Sequence, residues 1–158
     1  MSRVPELERD QLNEAQKRIY DTILASRGSI GGPFRVWLHS PELADRAQSL
    51  GEYVRLKSVL EPRISELAIL ITARFRNCQT EWSIHEGFAD KAGLDKKVID
   101  AVRNGGVPDF RNADERAVYE FCHQVLQDGF VQDDAVDALL DQFDTQAVVE
   151  LTGLLGYY

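Results

Sequence analysis

Apolar residues in this chain recur at helical spacing, and Val, Ile and Thr do not gather into alternating runs, so an all-α fold is expected. Glycine and proline cut that pattern into about seven helices. Asp10 can cap a first helix that turns Leu12, Ala15, Ile19, Ile23 and Leu24 inward and ends near Gly28. Residues 28–33 form a loop without the lysine of a phosphate-binding loop. Ser40-Pro41 starts a helix running to about Leu60, and Pro62 opens the next. A further helix ends at Ala92-Gly93, and a short one capped by Asp95 ends at Asn104-Gly105-Gly106. Asn112 and Glu115 have capping-box spacing for a helix through Gln127. Helices near 133–143 and from Asp144 or Thr145 complete a single domain over residues 1–158.

The most informative segment is residues 66–85, where a thiol, two carboxylates and an imidazole sit in an otherwise apolar, amphipathic stretch. Cys78, Glu81 and His85 fall at i, i+3 and i+7, which on a helix places Glu81 about 60° and His85 about 20° around from Cys78. Glu81 and His85 are also an i, i+4 pair. Glu66 lies twelve residues before Cys78, about 120° away on a continuous helix. It joins the group only if the chain turns near Arg76-Asn77 and a second helix starts at Cys78.

This segment resembles the carboxymuconolactone decarboxylase and alkylhydroperoxidase-D-like family. Glu66, Cys78 and His85 match that family's glutamate, first cysteine and histidine. Glu81 stands where the peroxidase branch has its second cysteine, so the chain is more similar to the decarboxylase-like branch. The likeness extends to Pro33-Phe34, to His39 through Ala44, to Ala92-Gly93-Leu94, to Asp114-Glu115-Arg116 and to Gly153 through Tyr158. The resemblance implies an alkylhydroperoxidase-D-like helical bundle that assembles as a homo-oligomer, commonly a trimer or hexamer. It implies a cofactor-independent lyase acting on a small carboxylated lactone or related unsaturated acid. Relatives continue the last apolar helix beyond Tyr157-Tyr158, so this chain is expected to be naturally short or a truncated piece.

Each site residue has a bland alternative. Cys78 is either a nucleophile or, like most free cysteines, a small buried hydrophobe. Glu81 one turn away disfavours its thiolate and removes the resolving thiol of a dithiol peroxidase. Cys78 is therefore expected to line the pocket or play a minor part, and Cys122 to pack in the core. Glu66 on its own reads as a solvated first-turn glutamate, and His85 as a hydrogen-bonded core histidine. Taken with Glu81, His85 is an acid/base group whose titration range suits neutral pH. The expected roles are His85 as proton donor or oxyanion stabiliser, Glu81 as its orienting partner, and Glu66 as a second proton-transfer group or substrate anchor. No arginine of the motif is an obvious carboxylate clamp; Arg74 and Arg76 are nearby in sequence. Trp82 is expected in a helix interface, His39 in a structural hydrogen bond, and Asp90, Lys91, Asp95, Lys96 and Lys97 on a solvated face.

Two other functions stay open: an alkylhydroperoxidase-like thiol peroxidase with peroxiredoxin activity, and a non-enzymatic oligomeric ligand-binding module. The segment lacks His-Glu-x-x-His and Cys-x-x-Cys, so no metal or cofactor is assigned. The net charge of −8 argues against nucleic acid or an anionic membrane as the main partner. Two cysteines do not make a disulfide framework. The first ten residues are too polar for a signal peptide, and no apolar run is long enough to span a bilayer. A cytoplasmic protein acting on a small molecule is the expectation.

Overall fold

A computed structural model describes residues 3–158, and it is all-helical over them. The chain forms two compact units, Met1–Tyr53 and Val54–Tyr158.

In the first unit, a 3-10 turn (Arg9–Gln11) precedes α1 (Glu14–Arg27), followed by α2 (Phe34–Trp37) and α3 (Pro41–Glu52). Asn13, not Asp10, caps α1: its side chain accepts from the Gln16 amide, and the Gln16 side chain accepts from the Asn13 amide. This reciprocal box satisfies two otherwise orphaned N–H groups, which Asp10, inside the 3-10 turn, is placed too early to do. Gly28 ends α1 in the left-handed region at φ 73°. Leu12, Ile19 and Ile23 are buried with Ile30, Leu38 and Ala44, whereas Ala15 and Leu24 face solvent. His39 pairs with the Pro5 carbonyl through Nε2 at 2.8 Å, the structural role expected of it. The helix opened by Pro41 stops at Glu52 and does not reach Leu60; a π-helical turn (Tyr53–Lys57) follows in the chain.

The second unit is built around α4 (Pro62–Phe75), which packs against α5 (Gln79–Lys91), α6 (Lys96–Arg103), α7 (Ala113–Asp128) and α9 (Thr145–Tyr157); α8 (Asp133–Leu140) rests on α7 and α9. Residues 64–73 of α4 are all buried, which is why this helix reads as apolar almost all round. Pro62 sits in its first turn, where a missing N–H costs nothing. Asn77, at φ 52°, turns the chain tightly between α4 and α5. Asp95 and Asp144 cap α6 and α9. Asn112 makes no side-chain cap to the backbone of α7; its Nδ2 donates to Glu115 Oε1 at 2.9 Å instead. There are thus nine α-helices among the described residues where the sequence suggests about seven. The four-residue α2 carries too few residues to show a period. No helix among them is long and apolar enough to cross a membrane.

Candidate functional site

Glu66 is the only charged residue in the buried stretch 64–73 of α4, and it is 5% exposed. An isolated carboxylate there would be strongly penalised, so its partners define the site. His85, 2% exposed on α5, pairs through Nδ1 with Glu66 Oε2 at 2.6 Å. Arg55, from the π-helical turn, donates through Nη2 to Glu66 Oε1 at 3.5 Å. Its Nε is the same distance from that oxygen but badly aligned, and is buried without a hydrogen-bond acceptor among the described residues. The guanidinium also lies 4.5 Å from the centre of the Phe88 ring, a cation–π contact.

Glu81 is the outer member of the group. Its Oε2 is 3.5 Å from His85 Nε2, a weak contact, and its side chain is 24% exposed against 3% for His85. The sequence-based pairing is therefore reversed. Glu66 from the neighbouring helix holds the imidazole closely, while the i, i+4 partner Glu81 holds it loosely and faces outward. Tyr158 closes the group from the end of α9, its ring edge-on to His85 with centroids 5.1 Å apart.

These neighbours set the protonation of His85. Burial disfavours its charged form, but the hydrogen bond to Glu66, the contact with Glu81 and the Glu66 charge outweigh burial and the opposing Arg55 charge. The net result is a pKa above the ordinary histidine value. The Tyr158 phenol is pushed strongly upward by burial, with Glu66, Glu81 and Tyr157 adding to the effect and Arg55 opposing it.

Cys78 is the N-cap of α5 rather than a residue within it, at φ −88° and ψ 91°, and is half-buried. The single helical stripe expected for Cys78, Glu81 and His85 therefore holds only for the last two. The Cys78 side chain makes no capping bond. Cys122 is fully buried in the core, and burial raises its thiol far above the ordinary range.

Arg55 is the residue missed from the sequence. Eleven positions before Glu66 and outside the motif, it is brought in by the π-helical turn and not by any periodicity. Arg74 and Arg76 point elsewhere: Arg74 Nε donates to the Arg103 carbonyl at 2.9 Å, and Arg76 lies over the Phe75 ring. Trp82 packs in the core as expected, with Nε1 donating to Glu86 Oε2 at 3.1 Å. The charged face from Asp90 to Lys97 is exposed.

Two solved structures are similar to this chain, each with a TM-score of 0.77 over 99% of this chain and 84% of theirs. One is the debrominase Bmp8 in its apo form, at 15% identity; the other is a cysteine-to-alanine variant of Bmp8 in complex with 2,3,4-tribromopyrrole, at 14%. At such identities the likeness is one of fold, here the alkylhydroperoxidase-D-like bundle expected from the motif. Among curated proteins, no sequence match was found. The sequence model of the carboxymuconolactone decarboxylase family matches residues 41–123, a span that contains Arg55, Glu66, Cys78, Glu81 and His85. The chain belongs to the carboxymuconolactone decarboxylase family.

Proposed function

We propose that this chain is a cofactor-independent acid/base lyase that decarboxylates a small carboxylated lactone or related unsaturated acid. The observation that carries this reading is the closely held Glu66–His85 pair, whose other imidazole nitrogen faces the loosely bound, partly exposed Glu81. A histidine with a raised pKa keeps its proton to higher pH than an ordinary imidazole, which suits it to proton delivery. Glu66 fixes the ring through Nδ1, leaving Nε2 as the donating atom. A substrate oxygen or carbon need displace only the long Glu81 contact to reach it. Arg55 offers the substrate carboxylate a cation whose Nε has no hydrogen-bond acceptor among the described residues.

In a conjugated lactone acid, the C–CO₂⁻ bond breaks and carbon dioxide leaves. The bonding electrons pass through the double bond into the ring carbonyl, giving a dienolate. His85 stabilises the developing oxyanion and delivers a proton from Nε2 to carbon; solvent, through Glu81, restores that proton. Glu66 acts as a positioning residue, and Cys78 takes no obligatory part.

The test is carbon dioxide release from a panel of lactone acids. The expected loss in kcat is largest for His85→Ala, about 10²–10⁴-fold, smaller for Glu66→Gln and Glu81→Gln, and mild for Cys78→Ala. Arg55→Gln is expected to raise KM more than it lowers kcat.

A second reading is thiol chemistry at Cys78, either peroxide reduction with an external thiol or a dehalogenation like that named for Bmp8. It is favoured by the half-buried position of Cys78 at the N-terminus of α5, where its side chain makes no capping bond. A Cys78→Ala variant that loses all turnover while His85→Ala retains most of it would put this reading first.

A further inference from the structure

A separate cavity of about 370 Å³ opens between the C-terminal half of α4, the end of α6 and α7. Its nearest α4 residue, Ile71, lies about 7.5 Å along the helix from Glu66, and none of the proposed site residues lines it. Its floor is apolar, with Ile71 and Phe75 from α4 and Leu126 from α7. One wall is aromatic: the rings of Tyr119 and His123 are stacked, with centroids 5.7 Å apart and planes inclined at 26°. The rim carries Arg74 and Gln127.

Arg74 is fixed there by two features. Its Nε donates to the Arg103 carbonyl at 2.9 Å, and neither Nη has a hydrogen bond among the described residues. The residue facing it is Gly105, at φ 70°, and a Cβ at that position would lie 3.2 Å from Arg74 Nη2. Glycine thus serves twice, taking the left-handed conformation and letting the guanidinium lie close to the backbone. None of the described residues lining the cavity is acidic, although the chain carries a net charge of −8. Glu120 influences Tyr119 but does not line the cavity.

A cation on the rim, hydrogen-bonding groups beside it, a stacked aromatic wall and an apolar floor select a flat apolar body with one anionic end. The volume suits a single ring. We propose that this cavity is a second ligand site, distinct from the Glu66–His85 centre, for a small aromatic carboxylate that pairs with Arg74 and lies against Tyr119.

The probe is benzoate, with neutral benzamide as its isostere, titrated by calorimetry and by amide NMR. Benzoate is expected to bind saturably and to shift amides of Gly105, Gly106 and Tyr119. Benzamide should bind at least about tenfold more weakly, and Arg74→Gln should weaken benzoate by about tenfold. Because Arg74 also ties α4 to α6, Leu126→Trp provides an independent variant: it fills the cavity and should abolish binding while the protein stays folded. His85→Ala should bind benzoate as the parent does. Absence of saturable binding, equal binding of benzamide, or loss of binding in His85→Ala with retention in Leu126→Trp would overturn the proposal.

Discussion

Two of the charged groups on helix α4, three residues apart in sequence, end in opposite conditions. Arg63 is completely engaged. Its Nη2 donates to Asp114 Oδ2 at 2.5 Å and its Nη1 to Glu115 Oε1, which also accepts from Asn112. Glu115 is 2% exposed, and no polar atom in this group is left without a partner among the described residues. Glu66 is the centre of the other group, and there the pairing is incomplete. Among the described residues Arg55 has a buried Nε without an acceptor, and Glu81 reaches His85 only loosely. Both groups are largely buried clusters that join acids and a base from different helices. The difference lies in residual capacity. A saturated network fixes two helices together and has nothing left to offer a substrate. An undersaturated one retains a donor and a proton.

The contrast is broken most sharply by the pair of variants with the largest expected effects. His85→Ala should reduce turnover by about 10²–10⁴-fold, measured as carbon dioxide release. Glu115→Ala should cost about 3 kcal/mol in urea unfolding, because it strands buried donors of Arg63 and Asn112, yet leave kcat per folded molecule unchanged. If Glu115→Ala abolished turnover in protein that remained folded, the division into a structural and a chemical cluster would fail.

A smaller effect sharpens the same comparison through pH. His85 has a raised pKa in the folded protein, so its ion pairs contribute stability that is complete below the unfolded value of about 6.5. That contribution is lost as pH rises through the folded value. The melting temperature should therefore fall as pH is raised above about 6.5, and His85→Gln should flatten this dependence. The same pH dependence persisting undiminished in His85→Gln would assign it to another group. The smallest expected effect is that of Cys78→Ala. It removes a half-buried, uncapped side chain and should change stability by no more than about 1 kcal/mol, measured by urea unfolding.

Much of the architecture was legible because breakers and caps are local. Pro41, Pro62, Gly28, Gly93 and Asp95 mark the boundaries at which their helices begin or end. The antiparallel turn at Arg76-Asn77, which lets Glu66 reach His85, follows from the same kind of reasoning. What could not be read were features set by tertiary contacts. The π-helical turn and the cross-helix pair are such features; the Asn13–Gln16 box is a local cap that the choice of Asp10 overlooked. The helix from Pro41 ends early in a π-helical turn that no propensity marks, and that turn delivers Arg55 to the site. The i, i+4 rule pointed to Glu81 as the close partner of His85. A cross-helix carboxylate, buried and in need of a donor, took that position instead.

The central claim is that His85 is held as a proton-bearing imidazole by Glu66, and NMR of the imidazole nitrogens tests it without a substrate. Nδ1 and Nε2 of His85 should titrate with a midpoint above about 6.5 that falls on Glu66→Gln and moves less on Glu81→Gln. A midpoint at or below about 6.5, or one unmoved by Glu66→Gln, would contradict the account.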